Sequence, residues 1–362
     1  MAAIANRLDR LRARFDSLGV DGFYTEDPVH ILYLTGFRCG DSALLAARER
    51  AVFVTDFRYR ESAERNLPGI ELAEVDQGAG CIREACRQAG ALGIRKLGFE
   101  GGLLSYGSGD EIVSALGKKK AVPLRGVVEG LRAVKDPVER EEIRKSLAVA
   151  EEAFRALRRE VRVGLTEKAV ADRLEALIRE KGGLKGAFDF AVLVRERGSL
   201  PHGAPGPREI GPGDPVLFDW GAIAGDYYSD LTRMLYFGEP PAKFAEIHRI
   251  VRDAQEKAFE AVRPGVRASE VDRAAREFIA KAGYGKEFGH GLGHGVGLQI
   301  HEGPRISWLN DAPLEPGMVF TVEPGIYLPG QAGVRIEDMV EVTETGVRVM
   351  STLPASVEES VV

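Results

Sequence analysis

The chain has 362 residues, with 44% hydrophobic and 29% charged side chains, and a formal net charge of -6. That is more chain than one hydrophobic core usually serves, and enough apolar surface to exclude wholesale disorder. Net acidity with scattered Lys and Arg argues against a nucleic-acid surface, and nowhere do about 18 apolar residues run together as a membrane span would need.

The opening MAAIANRLDRLRARFDSLGV is charged and helix-patterned, without the apolar centre of a signal peptide, so a cytoplasmic location is expected. Residues 1–125 then alternate helical and strand patterns, with β-rich GFYTE, SALLAA and RAVFVTD and helical CIREACRQAGAL, which predicts an α/β domain. Cys39, Cys81 and Cys86 form a sparse, odd set that fits a reducing compartment and is read as buried structural thiols. The domain boundary is expected near 125, leaving residues 126–362 as a second domain. Asp136-Pro137 starts a helical pattern running through about Arg159.

The second domain contains a weak internal repeat. VRVGLTEKAVADRLEALIREKG (161–182) and VRPGVRASEVDRAAREFIAKAG (262–283) have the same length and are offset by 101 residues. Each is a Gly-led turn, a helix of about four turns and a C-terminal Gly, followed by a β-rich segment bearing histidine. This predicts two related halves around a shared cleft.

Two hairpins carry paired carboxylates. VLFDWGAIAGDYYSDLTRMLYF (216–237) places Asp219 and Asp230 symmetrically if the turn centres between Ala224 and Gly225, so the two are expected to stand directly opposite each other. MVFTVEPGIYLPGQAGVRIEDMVEV does the same for Glu323 and Glu337 about Gly330. Opposed anions in apolar strands are destabilising unless a cation lies between them. Oxygen-rich donors suit hard divalent ions, and a metal pair lowers the pKa of a water held between the ions towards about 7, which implies amide or ester hydrolysis. The stretch GHGLGHGVGLQIHEGP (289–304) holds three of the six histidines among glycines that disfavour helix and suit extended chain in close packing.

LFDWGA, YYSDLTR, GHGLGHGVGLQIHEGP, FTVEPGIY and VRIED, in this order and spacing, resemble the proline-specific metallopeptidases of the pita-bread fold, Xaa-Pro aminopeptidase and Xaa-Pro dipeptidase (prolidase). ILYLTGF, TDFRYRESAE and LRAVKDPVEREEIRKS are similar to the family's creatinase-like N-terminal domain and the start of its catalytic domain. The resemblance implies an α/β creatinase-like domain followed by an α+β pita-bread catalytic domain with a pseudo-two-fold repeat. It implies that Asp219 binds one metal, that His294 and Glu323 bind the other, and that Asp230 and Glu337 bridge the two, with Mn²⁺ the favoured ion and Co²⁺ or Zn²⁺ the alternatives. His202 matches an additional active-site histidine, and His290 and His301 match substrate-contacting histidines that steady the scissile carbonyl. Glu323 is also the family's proton shuttle, and Arg335 holds the acidic ligands in place.

The implied substrates are peptides with proline in the second position, and the implied assembly is a homodimer. The short chain with one compact N-terminal domain is most similar to small Xaa-Pro aminopeptidases, with Xaa-Pro dipeptidase as the alternative and a non-catalytic binding protein as the remote one. Methionine aminopeptidase lacks the N-terminal domain, and creatinase does metal-free chemistry. Arg195, Glu196 and Arg197 stand where many relatives carry small or Asn-containing residues before the His202 position.

Overall fold

The computed structural model describes residues 2–76, 78 and 80–362, with side chains from residue 7 onward; Met1, at the head of the expected first helix and domain, lies outside the described residues. The chain divides into two compact units, Met1–Arg132 and Ala133–Val362.

The first unit runs α1 (Ala2–Arg12), α2 (Phe15–Leu18), β1 (Gly22–Thr25), α3 (Pro28–Thr35), β2 (Ala43–Ala47), β3 (Ala51–Thr55), α4 (Phe57–Asn66), β4 (Glu71–Glu74), α5 (Ile82–Ala91), β5 (Leu97–Glu100), α6 (Tyr106–Leu116), β6 (Ala121–Leu124) and α7 (Val127–Ala133). Its six strands form one sheet in the order β4-β3-β2-β1-β5-β6. GFYT, ALLAA and AVFVT are buried along their whole length, as strands covered on both faces must be. The division falls after Arg132 and not near 125, for a local reason. Glu100, at the end of β5, accepts the amides of Gly126, Val127 and Val128 at 2.9 to 3.2 Å, so the start of α7 is fastened to the first unit.

The cysteines are free, and only Cys86 is buried; Cys39 and Cys81 are partly exposed, which corrects the expectation that all three are buried. Burial nonetheless pushes all three thiols up to about 11, so none is a ready thiolate at neutral pH.

The second unit opens with α8 (Pro137–Glu160) and α9 (Glu167–Glu180). Asp136 caps α8 by accepting the Glu139 amide, and Glu139 returns the bond to the Asp136 amide. There follow β7 (Lys185–Gly186), β8 (Ala191–Val194), β9 (Pro215–Trp220), β10 (Ala222–Ala224), β11 (Tyr227–Tyr228) and β12 (Leu231–Tyr236). A second helix pair, α10 (Ala242–Ala261) and α11 (Ala268–Lys281), precedes β13 (Gly293–Gly295), β14 (Glu302–Ile306), β15 (Val319–Val322), β16 (Gly325–Leu328), β17 (Ala332–Arg335), β18 (Asp338–Val342) and β19 (Val347–Val349).

The repeat offset of 101 carries the ends of α8 and α9, Glu160 and Glu180, onto the ends of α10 and α11, Ala261 and Lys281. Each pair packs together, and each is followed by a hairpin whose ladder is interrupted. In the first half the interruption separates β9 from β10 and β11 from β12; in the second it separates β15 from β16 and β17 from β18. Among the described residues the sheets β12-β9-β8 and β14-β13-β15-β18-β19 are joined by one bridge, Thr232 to Glu337. Around it lies a core of Leu217, Met234, Phe320, Val322, Ile336 and Val340.

Candidate active site

The interruptions are where the carboxylates stand. Ala224 pairs with Tyr227, so the first turn is the two-residue loop Gly225-Asp226, and Asp219 pairs with Thr232. Direct opposition of Asp219 and Asp230 is therefore corrected: the two are diagonal, and period-two alternation still keeps both on one face. In the second hairpin Val322 pairs with Asp338 and Gly325 with Arg335, so Glu323 and Glu337 are symmetric about Gly330 in the gap between the ladders.

His294 arrives on β13 between two obligatory glycines. A Cβ on Gly293 would lie 1.9 Å from the Thr321 carbonyl oxygen, and one on Gly295 2.1 Å from that of Gly303. The glycines thus let the histidine strand press against its neighbours. His202, Asp219, Asp230, His290, His294, His301, Glu323, Arg335 and Glu337 all line one cavity of about 1070 Å³. Ligand atoms of Asp230, His294 and Glu337 lie within 4.8 Å of one another.

Two threonines and a tyrosine complete the arrangement. Thr232 donates its hydroxyl to Glu337 Oε2 at 2.7 Å and accepts from Arg335 Nε at 3.0 Å. Thr321 accepts the His294 amide at 3.1 Å and donates to Glu323 Oε1 at 3.2 Å. Arg335 also donates to Asp219 Oδ2 at 2.5 Å and to the Tyr327 hydroxyl at 2.8 Å. The two threonines are not among the residues expected from the sequence to build the site, whereas Tyr327 reads there as a pocket aromatic of a kind that more often belongs to a core. The available signal for the threonines was their spacing of two from Asp230 and Glu323, which puts each on the same strand face as its carboxylate.

The histidines divide their tasks by tautomer. The His294 Nδ1 can only donate to the Gly295 carbonyl, 3.1 Å away, so the neutral ring turns the lone pair of Nε2 toward Asp230 Oδ2 and Glu323 Oε1, each at 3.5 Å. His290 donates from Nδ1 to the Gly291 carbonyl at 2.8 Å, and its Nε2 meets the Tyr327 hydroxyl at 3.0 Å. Both nitrogens thus have partners, and the ring lines the cavity. His301 is exposed and meets His294 edge-on, with ring centroids 4.3 Å apart. His30 and His248 are buried elsewhere, His248 between the Tyr236 hydroxyl and the Ala355 carbonyl.

This donor set fits divalent cations. Burial, then the neighbouring charge of Glu337 on Asp230 and of Glu323 on Glu337, pushes both carboxyls well above the usual range. Asp219 and Glu323 are raised by burial as well, and burial holds the His294 imidazole neutral. Crowded oxygens and a lone pair converge, and among the described residues Arg335 is the one Arg or Lys ion-paired with them. Divalent ions relieve that repulsion, and carboxylate oxygens with one imidazole suit a hard or borderline ion better than a thiolate-loving one.

Comparison with known proteins decides the family. Residues 141–344 match metallopeptidase family M24, and residues 7–134 match the creatinase/prolidase N-terminal domain. The chain belongs to metallopeptidase family M24. The Xaa-Pro dipeptidase of Pyrococcus furiosus is 37% identical over 345 residues, covering 94% of this chain and 96% of that protein. The solved Xaa-Pro dipeptidase from Bacillus anthracis superposes with a TM-score of 0.93 at 38% identity, over 98% of this chain and 99% of that one. The X-Pro aminopeptidase from Thermotoga maritima gives 0.87 at 38% identity, over 95% and 99%. The creatinase-like α/β domain and the pita-bread catalytic domain are thereby the architecture of this M24 peptidase. Among its described residues no helix is long and apolar enough to cross a membrane.

Proposed function

We propose that this M24 metallopeptidase is an Xaa-Pro dipeptidase, which reverses the order of the two readings reached from the sequence. The observation that carries the proposal is Arg305. It pairs directly with His294 across the β13–β14 ladder, is exposed, and lines the cavity. Its guanidinium has no hydrogen-bond or ion-pair partner among the described residues. A planar fork beside the site suits the free carboxylate of a dipeptide, bound bidentately. A longer peptide would bring an amide there instead. The named dipeptidases among the relatives support the same choice.

In this reading Asp219 would hold one divalent ion, His294 and Glu323 the other, and Asp230 and Glu337 both, with Mn²⁺ favoured by the oxygen-rich donors. Bound there, such ions supply an activated water and polarise the scissile carbonyl. The chain's own groups do the rest. His301 and His202 steady the substrate beside the carboxylates, and Glu323, held by Thr321, carries the proton to the departing proline nitrogen. That nitrogen has no N–H of its own, so a site that demands no such donor can accept it. The reading includes a cytoplasmic homodimer, to which the free thiols are suited.

Ala-Pro, Ala-Pro-Ala and a longer Xaa-Pro peptide, assayed with and without Mn²⁺, test the proposal. Metal-dependent cleavage with Ala-Pro preferred is expected. Preference for the longer peptides would restore the aminopeptidase reading, and absence of both metal uptake and cleavage would leave a non-catalytic binding protein.

A further inference from the structure

His202 stands on neither a strand nor a helix, so something else must fix it. It lies in the excursion between β8 and β9, where Arg195–Ser199 form a short 3-10 turn. Arg195 opens the excursion at φ +54°, a left-handed conformation uncommon for a side chain of that size. Such strain persists only where the surroundings over-determine the backbone.

The determinant is a carboxylate outside the cavity lining. Glu167, the first residue of α9, is 0% exposed. Its Oε1 accepts the Val194 amide at 2.8 Å, and its Oε2 accepts the Gly206 amide at 2.8 Å. Arg197 lies between those anchors and spans both oxygens from Nε at 3.0 and 2.9 Å, while its Nη2 donates to the Ala204 carbonyl at 2.5 Å. One buried carboxylate thus closes the segment at both ends and grips its middle. The other half of the unit uses the same device. Asp272 on α11, also 0% exposed, accepts the Leu292 amide at 3.0 Å and pairs with Arg276 at 2.8 and 2.9 Å. Arg276 in turn donates to the Phe288 and His290 carbonyls at 2.8 and 2.7 Å.

We propose that Glu167 is a positioning residue, which through its hold on Val194, Arg197 and Gly206 sets where the His202 imidazole stands in the cavity. The proposal rests on the peptidase reading for its effect on rate, and on geometry alone for its effect on the loop. Glu167→Gln is the direct test, because an amide has one acceptor oxygen where two amides need one each, and its NH₂ would face an N–H. Misplacing a substrate-contacting group by about 1 Å lowers rate by about 10²-fold.

The metal-loaded full chain should therefore lose about 10- to 100-fold in kcat/KM on Ala-Pro with Glu167→Gln, at unchanged metal content. In a His202→Ala background the same change should lower kcat/KM less than about twofold, since two residues acting through one group are not additive. An equal loss in both backgrounds would make Glu167 a general stability residue and overturn the proposal. Hydrogen–deuterium exchange supplies the arm that needs no activity: amides of 194–206 should exchange faster in Glu167→Gln, and unchanged exchange overturns the proposal. If the wild type cleaves no Xaa-Pro substrate, the peptidase reading falls while the exchange comparison still judges the clamp. Should Glu167→Gln fail to fold, Arg197→Gln keeps both backbone anchors and should show a smaller loss that again vanishes with His202→Ala.

Discussion

Thr232 Oγ1 lies 2.7 Å from Glu337 Oε2 and is the donor to it, because the same hydroxyl accepts from Arg335 Nε at 3.0 Å. The hydroxyl proton therefore has one place to go, and the Glu337 carboxylate is oriented by a side chain that is itself oriented. Thr232→Val keeps the shape and removes both bonds, leaving Arg335 Nε and Glu337 Oε2 short of a partner in a buried site. Loss of such an orienting contact typically weakens metal binding about 10- to 100-fold, and that loss is expected here by isothermal titration with Mn²⁺. Affinity within about twofold of wild type would show that Glu337 needs no orientation from Thr232.

Removal of metal should make stability fall as pH rises. Asp230 and Glu337 are held well above the ordinary carboxyl range by burial and then by each other's neighbours. The metal-free folded chain binds protons there that the unfolded chain, with carboxyls near about pKa 4, has released. Its extra stability is fully present below about pH 4 and is lost as pH rises through the raised folded values. In EDTA the melting temperature should therefore drop as the pH rises above the ordinary carboxyl range near about 4, and added Mn²⁺ should abolish the drop. A flat EDTA profile would mean that the carboxyls ionise in the folded chain without penalty.

How far the sequence reached depends on turn chemistry. The second hairpin has a three-residue turn, Pro329 to Gln331, centred on Gly330 at φ +74°, so symmetry about that glycine predicted the Glu323–Glu337 relationship. The first was centred one residue too early. A two-residue turn with a left-handed first position demands glycine there, and Gly225 at φ +60° supplies it, which fixes Ala224 opposite Tyr227. Parity survived the slip, so the face carrying Asp219 and Asp230 was legible even though their register was not. Thr232 and Thr321 were hidden because threonine is common in strands for reasons of shape alone. Arg305 was hidden because its pairing with His294 sits beside a register shift in β13, which no spacing in the sequence reveals.

Arg305 gives the specificity reading a direct test. Arg305→Ala should raise KM for Ala-Pro by about tenfold or more, the scale of one lost charge-assisted carboxylate contact. Ala-Pro amide, which has no carboxylate, should be cleaved poorly by the wild type and about equally poorly by the variant. A variant that handles the free and amidated dipeptides as the wild type does would remove the assignment of Arg305.

Lys135 and Glu302 form the most buried ion pair near the cavity, with Nζ 2.9 Å from Oε1 and side-chain exposures of 1% and 5%. Glu302 follows His301 directly and lines the cavity, and Gly297 lies close against its carboxylate, where a Cβ would be 2.1 Å from Oε1. Removing one partner leaves a buried charge uncompensated, so Lys135→Met should destabilise the chain by about 3 to 5 kcal/mol. Replacing both, Lys135→Met with Glu302→Leu, should return most of that loss, because an apolar pair of similar volume avoids the desolvation penalty. Activity should not return with it, since the segment that carries His301 would have lost the charge that fixes its neighbour. Urea denaturation of the wild type and the two variants measures the first effect, and kcat/KM on Ala-Pro the second. Equal destabilisation by the single and double changes would assign the pair's role to packing and leave its charge without consequence.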